Sequence, residues 1–442
     1  MKFYFIFILI FFLNNCSFDT KTGIWNSESI KVDKENDIFR GTEKFLAQEE
    51  EVFKNEIELE KGTKLKVSLP ISNSNWQQVY FNDENNLKNF IYNNSNQIIL
   101  KSKKLTRHQL NYFPIFYKGN VFVSDQKGNI IIYSIEQKKI ITKFNFYKKK
   151  FKRVKKKLNL YVDNNIIYVT DNLGYLYSFD YPNNKVIWAK NYKLPFKSNL
   201  KISNDKIIVS DVNNNLLYFN KKNGEIFKKI PTENTTFTSK FINNISKHDR
   251  NLFFLNSYGS LYSSDAETAN LNWFVNLNLS SNLDKLSLFD GSNIVANGNR
   301  VIVSSSRNTY IIDSKTGTII KKYNFSSLLT PIINDNICFF LSKNNFLIAI
   351  NLENNEILYS QDINLKVANY LDTKKKSLNF KTMMLLNSEI FIFLNNSYVL
   401  NFQISGDLKE IKKLPSKIFT SPIVIDSSII FINSNKKLII VN

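Results

Sequence analysis

The chain reads as an all-β protein, an eight-bladed β-propeller of four-stranded antiparallel blades, and three observations predict it. The first is composition: 43% of its 442 residues are apolar, with Ile, Val, Phe and Tyr prominent, and β-branched and aromatic side chains suit a pleated surface. The second is periodicity: outside a short stretch at the N-terminus, no long apolar stripe recurs at helical spacing. The third is a repeat. Turn positions recur at Gly128, Gly174, Asn214, Gly259, near Asn308, Asn345, near Asn396 and near Lys436, which is 308 residues in seven steps, or 44 per step. That is the period of a four-stranded propeller blade.

The clearest copy runs Ile166-Ile167-Tyr168-Val169-Thr170-Asp171, a turn, Gly174-Tyr175-Leu176-Tyr177-Ser178-Phe179-Asp180, a second turn, then Lys185-Val186-Ile187-Trp188. Related copies begin at Val121, Ile207, Leu252, Val301, Ile337, Ile390 and Ile429. One such unit is a small twisted sheet with two apolar faces. It gains stability only when neighbours cover both faces and the ring closes on itself. Asn replaces Gly at several turns because it enters the left-handed region more readily than most residues. The last copy stops at Asn442, so its outer strand has to come from the N-terminal side, and Gln97 to Lys104 (QIILKSKK) is the expected donor.

Ahead of the repeat stands an export signal, residues 1–15. One Lys precedes eleven apolar residues ending at Leu13, too few to span a bilayer, which takes about 20, but the length of a signal-peptide core. Leu13-Asn14-Asn15-Cys16 resembles a bacterial lipobox, with Asn15 where that pattern ordinarily has Gly, Ala or Ser. The resemblance implies lipidation of Cys16, and acyl chains at about 0.8 kcal/mol per buried methylene would anchor the protein. Ser17, rather than Asp, follows the cysteine, which in the bacterial sorting pattern resembles an outer-membrane address. The expected place is therefore the outer membrane of a Gram-negative bacterium, lipid-anchored and facing the periplasm. Residues 16–62 are polar and read as a tether with room for a short helix; residues 63–442 read as the propeller.

The net charge is +21, and Lys148 to Lys157 carries eight positive charges in ten residues. This run falls between strand pairs and is expected as a solvated loop, able to attract anionic headgroups or an acidic partner within about 8 Å. Abundant Lys, Asn, Ile and Phe with only 12 Gly also follow from an AT-rich genome, and no nucleic-acid partner is expected. Two cysteines and two histidines exclude a disulfide framework and a Cys/His zinc site. Neither His108 nor His248 lies near a nucleophile motif. Cys338, in the apolar run Ile337-Cys338-Phe339-Phe340, is expected as a buried thiol. No catalytic residue, metal site or cofactor is assigned.

The G-x-L-Y-x-x-D strand and the Trp at the blade end, Trp188 and Trp273, resemble the quinoprotein-type (PQQ-like) repeat; Lys228, Lys321 and Tyr359 hold that position elsewhere. These aromatic residues are expected to pack between blades. The GH and WD dipeptides of WD40 units are missing. With the signal, the tether, Asn75-Trp76 before the repeats and Ser421-Pro422-Ile423-Val424 entering the last, the whole chain resembles the BamB family of outer-membrane-protein assembly lipoproteins.

That resemblance implies a non-catalytic scaffold, a monomer within a complex, that docks on a BamA-type insertase and helps deliver unfolded outer membrane proteins. It implies docking through loops between blades. One is Lys285-Leu286-Ser287-Leu288-Phe289-Asp290-Gly291-Ser292, where Asp290 matches one of two acidic family residues, Leu288 replaces the other, and Lys285 and Phe289 flank it. The second family loop, with a Leu-x-Leu-Arg pattern, falls on Pro231 to Lys240, which has neither Leu nor Arg. Two alternatives stand beside this: a PQQ-dependent dehydrogenase, which the absence of a vicinal cysteine pair disfavours, and a propeller binding a solute or an anionic glycan.

Overall fold

In the computed structural model the chain divides into two units, Met1–Glu51 and Val52–Asn442. The structure describes residues 53–147, 151–233, 242–277 and 294–442, and in the first unit the paired two-residue strands Ser17–Phe18 and Trp25–Asn26. The second unit is the eight-bladed propeller. Its sheets are antiparallel meanders spanning 115–145, 158–191, 201–230, 244–276, 295–323, 332–362 and 380–413, and the eighth combines 423–441 with Ile98–Lys104. The strands starting the repeat copies in sequence are the second strands of the blades, counted from the axis.

Burial follows position within the blade. Lys206–Ser210, a second strand, is buried along its whole length. Lys185–Asn191, an outer strand, alternates exposed and half-buried residues. Inner strands lie between the faces of two neighbouring sheets, so both sides become apolar, whereas the outer strand keeps one side in water. In each of the first seven blades the pairing of third and outer strands shifts register once, as between Ser178 and Phe179. Such a bulge raises the local twist that a blade needs.

The aromatic residue of the outer strand sits beside this bulge and packs onto the next blade, as expected from the sequence. A Cβ on Gly224 would lie 2.7 Å from the ring of Trp188, one on Gly317 2.6 Å from Trp273, and one on Gly406 2.7 Å from Tyr359. Trp273 also donates from Nε1 to the carbonyl of Ser314 across the joint, at 3.1 Å. Where the position holds Lys228, the facing turn carries Ala269 at φ 57°, and Lys228 Nζ donates to Asn270 Oδ1 instead. The glycines are thus retained opposite rings. Gly317→Ala is expected to destabilise the fold by about 3 kcal/mol, from the left-handed φ plus the clash. Gly298→Ala, also at positive φ but with open space around it, is expected to lose about 1 kcal/mol. Urea unfolding of the two variants separates clash from backbone.

Ring closure follows the sequence expectation. Ile98–Lys104 is the outer strand of the eighth blade, with Leu100 opposite Ile440 and Lys104 opposite Lys437. Leu438 N–H donates to Ser102 Oγ at 2.8 Å. Residues 53–62, expected as the end of the tether, run beside blade six, where Ile57 and Ser360 exchange both main-chain hydrogen bonds at 2.9 Å. The one helix among the described residues, Ile363–Tyr370, follows that blade, with Asp362 as its cap. The basic run lies on the link between blades one and two. Of its described part, Lys152, Arg153, Lys155 and Lys157 are exposed as expected, but Lys156 is buried. Its Nζ donates to the Phe151 carbonyl and lies 5.1 Å from the centre of the Tyr147 ring.

Candidate functional site: the filled channel and the loop face

Each blade presents the free main-chain edge of its innermost strand to the axis, and such an edge requires partners. Residues 73–93 supply them by making a circuit inside the channel. Asn73 bonds blade eight, its Nδ2 donating to Val424 O at 2.7 Å. Trp76 exchanges main-chain hydrogen bonds with Phe116 of blade one, and Val162 of blade two donates to Gln77 O. Lys247 N–H of blade four donates to Asp83 O, and Ala296 N–H of blade five to Glu84 O. Asn89–Phe90 runs parallel to the first strand of blade seven. Asn93 N–H then donates to Ser427 O, back at blade eight.

Asparagine is abundant here because its amide carries one acceptor and two donors in a plane, and so can mimic a strand edge. Asn86 does so at blade six, donating to Ile333 O at 2.9 Å and accepting from Ile333 N at 3.0 Å. Asn85 donates to the carbonyls of Ile245 and Ile294, both at 3.0 Å, bridging blades four and five. Trp76, Phe81 and Phe90 form the apolar centre of the segment, with Trp76 4.9 Å from Phe81 and 6.2 Å from Phe90 between ring centres.

Blade three contributes a lysine. Lys201 is fully buried, and its three ammonium hydrogens meet three neutral acceptors of the channel segment: Gln78 Oε1 at 2.7 Å, Asn82 O at 2.8 Å and Asn85 Oδ1 at 2.7 Å. Burial pushes this ammonium down to about 7, against the opposing pull of Asp83 and Glu84. Those carboxylates have other partners: Asp83 pairs with Lys247 at 3.0 Å, and Glu84 lies 2.6 Å from His248 Nδ1. None of these residues stands out in the sequence, since Asn82-Asp83-Glu84-Asn85-Asn86 reads there as an ordinary polar loop.

Beside the channel segment a cavity of about 220 Å³ remains, walled by Trp76, Tyr80, Phe113, Leu329, Met383 and Pro422 among others. It opens on the face formed by the links between blades and the turns between second and third strands. Carboxylates of those turns point inward. Asp171 accepts from Leu173 N and Tyr175 N and from Tyr147 Oη of the preceding blade, at 2.6 Å, while burial pushes its carboxyl up. Asp125 serves blade one in the same way, accepting from Thr106 Oγ1 at 2.7 Å. Cys338 is buried, and burial pushes its thiol well up. The described residues contain no group of three or more His, Cys, Asp or Glu placed to hold a metal ion.

The residues singled out in sequence for function, Cys16, Lys285, Phe289 and Asp290, lie outside the described residues. The segment bearing the last three joins blade four, which ends at Asn276, to blade five, which starts at Val295. Of the second expected docking loop, residues 231–233 are described; Glu233 accepts from Asn256 Nδ2, Ser260 Oγ and Tyr262 Oη. Among the described residues no helix is long and apolar enough to cross a membrane.

A family model described as outer membrane protein assembly factor BamB matches residues 148–361. No curated protein matches the chain at a significant level. Among solved structures, BamB from Moraxella catarrhalis is 14% identical over 78% of this chain and 99% of its own, with a TM-score of 0.61. The computationally designed Ika8 protein is 11% identical over 78% and 99%, TM-score 0.58. Quinohemoprotein alcohol dehydrogenase from Comamonas testosteroni is 8% identical over 83% and 80%, TM-score 0.62. At these identities the structures speak for the fold alone. Taken with the repeat, the eight closed blades show a PQQ-like β-propeller, and its residues 148–361 are similar to the family whose model is described as outer membrane protein assembly factor BamB.

Proposed function

We propose that the chain is a non-catalytic scaffold lipoprotein of the machinery that assembles outer-membrane β-barrels. In this reading Cys16 carries the lipid anchor, the propeller stands in the periplasm, and loops between blades dock on a BamA-type insertase while unfolded barrel proteins are delivered. The observation that carries it is the filled channel: a cofactor on the propeller axis would have to displace residues 73–93, which hydrogen-bond around the ring. A propeller whose axis is largely occupied by its own chain offers, apart from the cavity of about 220 Å³ beside that segment, mainly loops and rims, and loops on a rigid scaffold are where binding residues concentrate. The family model matching residues 148–361 supports the same reading.

The test is a pull-down of the tagged protein from solubilised outer membranes. Recovery of a BamA-type insertase, weakened at least tenfold by Asp290→Arg, is the expected result; recovery of a redox partner would reverse the reading. The dehydrogenase alternative makes a separate demand. A bound cofactor stabilises the native state by RT ln(1 + [L]/Kd), about 2.7 kcal/mol at a hundredfold excess over Kd. Pyrroloquinoline quinone with calcium is therefore expected to leave the melting temperature unchanged here, as scanning calorimetry would check.

A further inference from the structure

The two faces of the propeller differ in charge. The face bearing the turns between first and second and between third and fourth strands carries exposed carboxylates around the ring, among them Asp205, Glu225, Asp249, Asp335, Glu353 and Asp426. The opposite face bears the inter-blade links and the turns between second and third strands. Among the described residues, the one exposed carboxylate on those links and turns is Asp372; Asp125, Asp171 and Asp211 are buried, and Glu233 is half-buried.

Exposed cations cluster on this second face. Lys152, Arg153, Lys155 and Lys157 stand on the link between blades one and two. Lys127 joins them from the neighbouring turn, its Nζ donating to Lys152 O at 3.1 Å. Arg107 continues the patch toward blade eight, where Lys436 Nζ donates to its carbonyl at 2.7 Å. Exposed cations stand on both faces, with Lys118, Lys138, Lys222 and Lys315 on the first, but on the link face few carboxylates accompany them; Glu56, which accepts from Asp362 N, lies beside it at blade six.

Apolar side chains protrude on the same face. Val154, in the middle of the four, is 43% exposed, and Tyr112 and Phe113, on the link after Arg107, are 54% and 38% exposed. Cations flanking Val154, with Tyr112, stacked on Phe419, and Phe113, against Tyr80, half-exposed on the same face, match a bilayer interface, where the charges meet anionic headgroups and the tips enter the acyl boundary. A nucleic-acid backbone would use the charges and leave Val154 in water; an acidic protein is separated from lipid by the experiment below.

We infer that the part of this link face borne by blades eight, one and two is a docking surface for anionic phospholipid membrane, with residues 152–157 as its main contact. The contact uses the folded blades without the Cys16 anchor, and it leaves the link between blades four and five, which the scaffold reading gives to the insertase, clear of the lipid.

The experiment uses the chain from Ser17, which keeps every blade, the channel segment and the closing strand but lacks Cys16. It is floated with vesicles of phosphatidylethanolamine and phosphatidylglycerol (3:1) or of phosphatidylcholine alone. Binding to the anionic vesicles, little to the neutral ones, and a fall as salt is raised are expected. Lys152→Gln, Arg153→Gln, Lys155→Gln and Lys157→Gln together should weaken it at least about tenfold, since each cation near an anionic surface contributes roughly fivefold. The same exchange at Lys139, Lys185 and Lys222, exposed on the strands and turns away from the link face, should leave it unchanged. In Val154→Trp, the emission of the added indole should shift to the blue on anionic vesicles. Equal binding to both vesicle types, equal loss in both sets of variants, or binding to polyglutamate or an oligonucleotide as tight as to vesicles with no blue shift would each overturn the inference.

Discussion

Exchange of Lys201 for methionine is expected to lower the free energy of unfolding by about 3 kcal/mol at pH 6.5, where the group is mainly ammonium, because three buried acceptors lose their donors while the volume is kept. The acceptors are Gln78 Oε1, Asn82 O and Asn85 Oδ1, so the damage should centre on the channel segment. Hydrogen exchange at residues 78–86 should rise well beyond that of the blades. The deficit should also depend on pH. Burial holds the Lys201 ammonium at about 7 in the fold, below its ordinary 10.5, so the unfolded chain binds the extra proton between those values. Unfolding then becomes harder as pH rises through that window, by at most about 1.4 kcal/mol per unit from this group. The native protein's advantage over Lys201→Met is therefore smallest below pH 7 and widens toward pH 10. Urea unfolding of both proteins at pH 6.5, 8 and 9.5 checks it; a constant difference would show that the ammonium keeps its ordinary affinity in the channel.

Loss of the N-terminal closing elements should be more severe. A chain starting at Leu105 keeps three strands of blade eight, exposes the edge of Lys437–Val441 and empties the channel of residues 73–93. It is expected to lose more than about 5 kcal/mol, comparable to the whole stability of an ordinary domain, and to show no cooperative thermal transition. A synthetic peptide of residues 68–105, added in trans, should restore one, since it brings both the outer strand and the axial hydrogen bonds. A cooperative melt of the truncated chain without the peptide would mean that the blades alone hold the ring.

The two predictions rest on parts of the molecule that were not equally legible. The closing strand could be read in advance, because a blade that ends after its third strand leaves a vacancy of known length and hydrogen-bonding pattern, and Gln97 to Lys104 is a segment of that length ahead of the first blade. The channel segment could not. Its contacts pair side-chain amides with main-chain edges from every part of the chain, and that chemistry leaves no periodicity in the local sequence. Lys201 was hidden for the same reason, since its partners lie well over a hundred residues away. In the basic run the local sequence marks Lys156 as one more solvated cation; its burial follows from where the Phe151 carbonyl and the Tyr147 ring come to rest.

For the site itself, Lys285, Phe289 and Asp290 were named from the family resemblance and Cys16 from the lipobox pattern, and all four lie outside the described residues. The charge-sorted link face was legible only in part: the run of lysines is plain in the sequence, but its apolar companions Tyr112 and Phe113 reach the same face through the meander of the blades.

By itself the sequence determined the blade count, the second-strand starts, the tight turns and the source of the closing strand. All of these follow from short-range periodicity and from the rule that paired edges and covered faces are required. Tertiary structure alone decided what fills the axis, which lysines are buried and how charge divides between the two faces. Those depend on which distant main-chain edges and side chains the closed ring brings within hydrogen-bond reach.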